Sequence, residues 1–171
     1  MFLFCQRIGI VYPRSLYEIV TYEKMASKNL KKLTGFNLED LLPHRGNMLL
    51  LDDVLEVDEE HALTEAVLGK SCPLSGDNGV QPLIMVELAA QTAGVCNGLT
   101  RIKEEGEDSS KLGWLVGVKR ALFTVDVIPF GSRLVVRSDN THEFDMLREV
   151  DCVVRLRDEL IGEITLQLIQ A

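Results

Sequence analysis

The chain has 171 residues, which suits one domain or one domain with an extension, and 46% of them are hydrophobic, enough to bury a core. A formal net charge of -8 with no basic run or aromatic-basic interleaving argues against a nucleic-acid partner and favours small molecules and proteins. Four cysteines (Cys5, Cys72, Cys96, Cys152) stand far apart, with no C-x-x-C pair and no histidine at metal-ligand spacing, so no metal is expected and the thiols read as inert in a reduced cytoplasm.

Residues 1–33 mix apolar and polar side chains without sustained periodicity and read as an N-terminal extension, either partly disordered or begun at an upstream start codon, since Met25 opens a more ordinary N-terminus. The start lacks the charged region and cleavage site of a secretion signal. From residue 34 onward the signals describe a single domain. Asn37, with Asp40 three residues on, resembles a capping box, and Leu38 to Leu42 can form a short helix before Pro43 stops it. Met48 to Val57 and His61 to Leu68 read as strands of a hairpin turned at Asp58-Glu59-Glu60. Residues 71–79, SCPLSGDNG, are turn chemistry throughout.

Val80 to Lys103 carries an apolar run of five to six helical turns, interrupted in its first half only by Glu87, Gln91 and Thr92. It is too short, with polar residues in its middle, to span a bilayer, so a sheet is expected to wrap it. Glu87 and Gln91, four residues apart, share one helical face among apolar neighbours. A carboxylate held there costs stability unless it is paired or protonated, and it reads equally as a rim residue or as a proton-transfer group. Four further strand candidates follow: Gly113 to Phe123, Arg133 to Phe144, Leu147 to Arg157 and Leu160 to Ile169. In the last two, Val150, Cys152, Val154, Ile164, Leu166 and Leu168 alternate with polar residues, and short links such as Asp158-Glu159 favour antiparallel neighbours. The expected fold is α+β, a curled antiparallel sheet of about six strands around one long helix.

Three stretches carry a family likeness: LLPHRGNMLLLDDVLEVD (Leu41 to Asp58), PLIMVELAAQTAG (Pro82 to Gly94) and GVKRALFTVDVIPFGSRLVV (Gly117 to Val136). Together and in this order they resemble the hot-dog-fold 3-hydroxyacyl-[acyl-carrier-protein] dehydratases. The pre-helix loop is most similar to the divergent dehydratase-like proteins of aryl polyene clusters. The resemblance implies a dimer, with itself or with another hot-dog chain, and a narrow tunnel where a 3-hydroxyacyl thioester is dehydrated. The acyl group would arrive on the phosphopantetheine of acyl carrier protein, or as a CoA thioester, with no further cofactor and no membrane. Elimination needs a base for the C2 proton, an acid for the departing hydroxyl and donors for the thioester oxygen.

In the common family pattern a histidine precedes the helix glutamate by fourteen residues, and here that position is Pro73. The usual backbone donor near the helix start falls on Pro82, which has no N–H. Either Glu87 handles both proton steps, or Cys72 or His44 completes the pair. Gln91, Leu83, Ile84 and Gly79 are the candidate substrate contacts. Arg45, Lys119 and Arg120 are the candidate docking cations for an acidic carrier protein. Alternative readings are a hot-dog thioesterase and a non-catalytic acyl-binding partner subunit. Structural roles compete at each position: a packed thiol for Cys72, a loop-fixing hydrogen bond for His44, scattered surface charge for the cations.

Overall fold

The computed structural model describes residues 35–170, so the extension read from the sequence lies outside the described residues. Helix α1 (Leu38–Leu41) begins where Asp40 accepts the Asn37 N–H at 2.8 Å, which satisfies an otherwise orphaned donor, and the Leu42 N–H closes the turn on Leu38 O at 2.8 Å. A single 3-10 turn follows at Gly46–Met48.

Strand β1 (Asp53–Val57) starts later than the expected Met48. The reason is a competing partner: the Leu50 N–H donates to Gln91 Oε1 at 3.0 Å and Met48 O accepts from Gln91 Nε2 at 2.7 Å. That stretch of backbone is tied to a helix side chain instead of a neighbouring strand. Strand β2 (His61–Leu68) returns antiparallel to β1.

The long helix α2 (Ile84–Glu105) also starts later than the expected Val80. Val80 exchanges both main-chain hydrogen bonds with Ile128, at 2.8 and 2.9 Å, so it behaves as a strand residue, and Pro82 sits in the turn that leads into the helix. Strands β3 (Gly113–Phe123), β4 (Ser132–Phe144), β5 (Leu147–Leu156) and β6 (Glu159–Gln170) complete a six-stranded antiparallel sheet in the order β1-β2-β4-β5-β6-β3. Two tight hairpins, with Asp145 and Arg157 at positive φ, make the β4–β5 and β5–β6 links.

The alternation read from the sequence holds in the packing. Leu134, Val136, Val150, Cys152, Val154, Ile164 and Leu166 are all buried and face α2, which answers with Met85, Leu88, Ala89, Ala93, Val95 and Cys96. Full burial of each large side chain contributes about 1.5–3 kcal/mol, so this interface dominates the stability of the fold. Gly162 permits the close contact, since a Cβ there would lie 2.9 Å from the Met85 sulfur.

The helix is not wrapped all round. Val86, Glu87, Ala90, Gly94, Asn97 and Thr100 form a partly exposed stripe at helical spacing. Helix α1 crosses this side closely: a Cβ on Gly94 would meet Leu42 Cδ2 at 2.7 Å, and one on Gly98 would meet Leu41 O at 2.5 Å. The two glycines therefore set how near α1 and the loop behind it come to α2.

Candidate active site

Glu87 lies in the first turn of α2, where the unpaired N–H groups of a helix start favour a negative side chain. Gln91, one turn later and fully buried, donates from Nε2 to Glu87 Oε1 at 2.8 Å. The same amide reaches Met48 O and the Leu50 N–H. Gln91 therefore has two tasks: it fixes one carboxylate oxygen and it anchors the loop that follows α1.

That loop brings His44 to the carboxylate. His44 Nε2 stands 3.3 Å from Glu87 Oε1, with the two side chains 29% and 34% exposed. The pair is neither sealed in the core nor lost in bulk water. His44 Nδ1 is buried without a hydrogen-bond partner, so Nε2 is the ring nitrogen that faces the carboxylate.

Arg45 holds the loop in shape. Its guanidinium donates to Leu42 O at 2.7 Å, His44 O at 2.6 Å and Glu39 O at 2.9 Å, drawing the end of α1 and the histidine backbone around one planar group. Arg45, a candidate docking cation, is thus held on main-chain carbonyls while its side chain stays half-exposed. The other two docking candidates are paired across strands, Lys119 with Glu149 at 2.6 Å and Arg120 with Glu163 at 3.2 Å.

The remaining candidates divide by place. Leu83, four residues before Glu87 and so on its side of the helix, is 55% exposed and offers apolar surface beside the carboxylate. Ile84 is in the core. Gly79 is a packing position: a Cβ there would fall 2.3 Å from Ile128 O. Cys72 is partly buried, its carbonyl accepting from Ser75 Oγ at 2.5 Å, and no hydrogen bond joins it to Glu87. Burial pushes its thiol up from the ordinary value, which keeps it protonated at neutral pH and unsuited to act as a base. Cys96 is raised further, to about 12, chiefly by burial and next by the nearby Asp58 charge. Among the described residues no three His, Cys, Asp or Glu side chains gather as metal ligands, and no helix is long and apolar enough to cross a membrane.

Sequence reasoning set Glu87 and Gln91 on one helical face and offered His44, beside Cys72, as a group to complete the pair. It missed that Gln91 also binds the Met48–Leu50 backbone and that Arg45 shapes the histidine loop. The one available signal was the P-H-R word itself, whose adjacent histidine and arginine here act on the same loop.

Comparison with known proteins shows the family and the fold. The profile of the ApeP-like family, described as ApeP dehydratase, matches residues 36–171. A 3-hydroxyacyl-[acyl-carrier-protein] dehydratase FabZ of Streptococcus pyogenes is 34% identical over 132 residues, covering 74% of this chain and 88% of that one. The FabZ of Streptococcus uberis is 32% identical over 133 residues, with 75% and 88% covered. Among solved structures, the dehydratase heterocomplex ApeI:P from Xenorhabdus doucetiae shares the fold, with a TM-score of 0.72 at 22% identity, covering 80% of this chain and 91% of that one.

Proposed function

This chain belongs to the ApeP-like dehydratase family, and from that premise we propose that it converts 3-hydroxyacyl thioesters carried by acyl carrier protein into trans-2-enoyl thioesters. The observation that carries the reading is the approach of His44 Nε2 to the Glu87 carboxylate on a partly open face of the central helix.

The chemistry balances on that pair. The C2–H bond breaks and its proton passes to a Glu87 oxygen. The electron pair forms the C2=C3 bond as the C3–O bond breaks, and the hydroxyl leaves as water with the proton that Glu87 has just taken from C2, in a syn elimination beside the His44 ring. Glu87 then returns to the carboxylate it began as. Gln91 keeps the reacting oxygen in place throughout, and Leu83 gives the acyl chain an apolar neighbour. The raised Cys72 thiol has no step in this scheme.

The strand at the end of the sheet supports assembly with a second hot-dog chain. β3 pairs with β6 along one edge only, and its Trp114, Leu115, Val116, Val118 and Leu122 are exposed. Such an edge is a template for another strand, and covering it would bury apolar surface on both faces. The ApeI:P heterocomplex and the FabZ relatives support both a paired assembly and an acyl carrier protein as the substrate's carrier.

The test is hydration of a trans-2-enoyl thioester, the reverse reaction, followed by loss of enoyl absorbance. Wild-type protein should turn over, and Glu87→Gln should reduce kcat/KM by about 10²–10⁴-fold, the range for loss of a positioned acid/base. Equal rates for the two proteins would remove the carboxylate from the mechanism.

A further inference from the structure

We infer that the bond between Asn78 and Gly79, in the loop ahead of the central helix, is a site of spontaneous deamidation, and that the fold protects the chemically identical bond between Asn97 and Gly98 inside the helix. The inference is independent of the dehydratase reading.

Asparagine followed by glycine occurs twice in the chain, at residues 78–79 and 97–98. The next main-chain nitrogen can attack the asparagine side chain in such a pair, because glycine puts no side chain beside that nitrogen and leaves the backbone free to turn onto it. At the first site the Gly79 nitrogen gives its proton to solvent and bonds to Asn78 Cγ, and the side-chain amide leaves as ammonia. A solvent water then opens the cyclic imide at either carbonyl. One opening gives aspartate; the other gives isoaspartate, in which the main chain runs through Cγ and is one atom longer. Either way a water is consumed, an ammonia is released and a neutral amide becomes a carboxylate.

The structure separates the two sites. Asn78 is exposed at the tip of its loop, and among the described residues neither its side chain nor the Gly79 N–H has a hydrogen-bond partner. The nearest main-chain bond closing the tip is Gly76 N–H to Gly79 O at 2.8 Å. Asn97 has its Oδ1 held by Arg148 at 2.6 Å and by Asn140 at 3.4 Å, and Gly98 lies in the interior of α2, its N–H committed to the helical ladder. Attack at Asn97 requires that part of the helix to unwind, whereas attack at Asn78 requires only a loop tip to move.

Packing imposes both glycines. A Cβ on Gly79 would lie 2.3 Å from Ile128 O, and one on Gly98 would lie 2.5 Å from Leu41 O, so neither position admits a larger residue that would slow the attack. The consequence of reaction at Asn78 falls on the seat of the helix. An extra main-chain atom just before Gly79 strains the paired contact of Val80 with Ile128, and the new carboxylate stands beside Asp77.

The experiment incubates the full chain at mildly alkaline pH, folded and in guanidinium chloride. The tryptic peptide from Ser71 to Arg101, which carries both asparagines, is then read by tandem mass spectrometry for the amide-to-acid mass change. In the unfolded chain the two sites should react at similar rates. In the folded chain Asn78 should stay within about tenfold of its unfolded rate, while Asn97 should slow by about 10³-fold or more, as expected where opening requires the global unfolding free energy. Asn78→Gln, whose longer side chain closes the ring poorly, should leave the folded protein at its original mass. Equal folded-state rates at the two sites, or an Asn78 as slow as Asn97, overturn the inference. So does a difference that persists in denaturant, since it would then owe nothing to the fold.

Discussion

Among the described residues two histidines stand within 3.3 Å of a carboxylate, and they differ in what is left of each ring. His61 lies at the β1–β2 turn, 14% exposed, with Nε2 on Glu56 and Nδ1 on Asp58, so each ring nitrogen has a carboxylate partner. His44 is more open, has one nitrogen 3.3 Å from Glu87, and leaves Nδ1 without a partner. The first ring is a clamp whose hydrogen-bonding capacity is used up by its own hairpin. The second is underused, and it stands beside a carboxylate on the open stripe of the helix. Spare capacity at an accessible place is what proton transfer requires, so the proposed function gives chemistry to one ring and structure to the other.

The sharpest way to break this comparison is to remove each ring in turn. His44→Gln should lower kcat/KM for enoyl hydration by about 10²-fold or more while the melting temperature changes little. His61→Gln should do the opposite, keeping kcat/KM within about threefold and lowering the melting temperature through loss of roughly 1 kcal/mol of hairpin hydrogen bonding. Comparable activity losses from both would show that the distinction between clamp and catalyst is wrong.

Gln91→Leu tests whether the catalytic end depends on its buried anchor. The substitution keeps approximate volume but leaves the Leu50 N–H and Met48 O without their partner, so stability should fall by about 1–3 kcal/mol in a denaturant titration. Activity should fall with it, because Glu87 loses its 2.8 Å donor and the histidine loop loses one anchor. A destabilised variant with unchanged kcat would confine Gln91 to the fold.

The smallest effect belongs to the clamp. Burial raises the Asp58 carboxyl, but the Glu60 and His61 N–H groups and the His61 ring outweigh it, and the net result lies below the ordinary 3.8. A folded-state value below the unfolded one stabilises the protein above the unfolded value, and the contribution disappears as pH falls through the folded one. Asp58→Asn should therefore lower the melting temperature slightly at pH 7. The gap to wild type should close as the pH drops below 3.8. A gap that stays constant down to that region would mean that shape, not charge, carries the effect.

Much of this was legible along the chain. Period-two alternation in Val150, Cys152 and Val154 and in Ile164 and Leu166 identified inward faces that the structure buries, and helical spacing placed Glu87 and Gln91 on one side of one rod. The strand beginning at Met48 was misread because its apolar run looks the same whether its backbone pairs with a strand or with a glutamine. The start of the long helix was misread for a similar reason, since Val80 fits a helix or a bridge to Ile128 equally well. In both cases the deciding partner is distant in sequence.

By itself, then, the sequence determined the order of elements, the composition of the core and the face on which the acid sits, because each follows from local geometry repeated along a helix or strand. Only the tertiary structure decided that His44 meets that acid, that Arg45 is committed to the loop and that Gly94 and Gly98 let α1 come close enough. Hydrogen bonds and close approaches between segments far apart in the chain leave no periodic trace; they exist once the core has drawn the segments together.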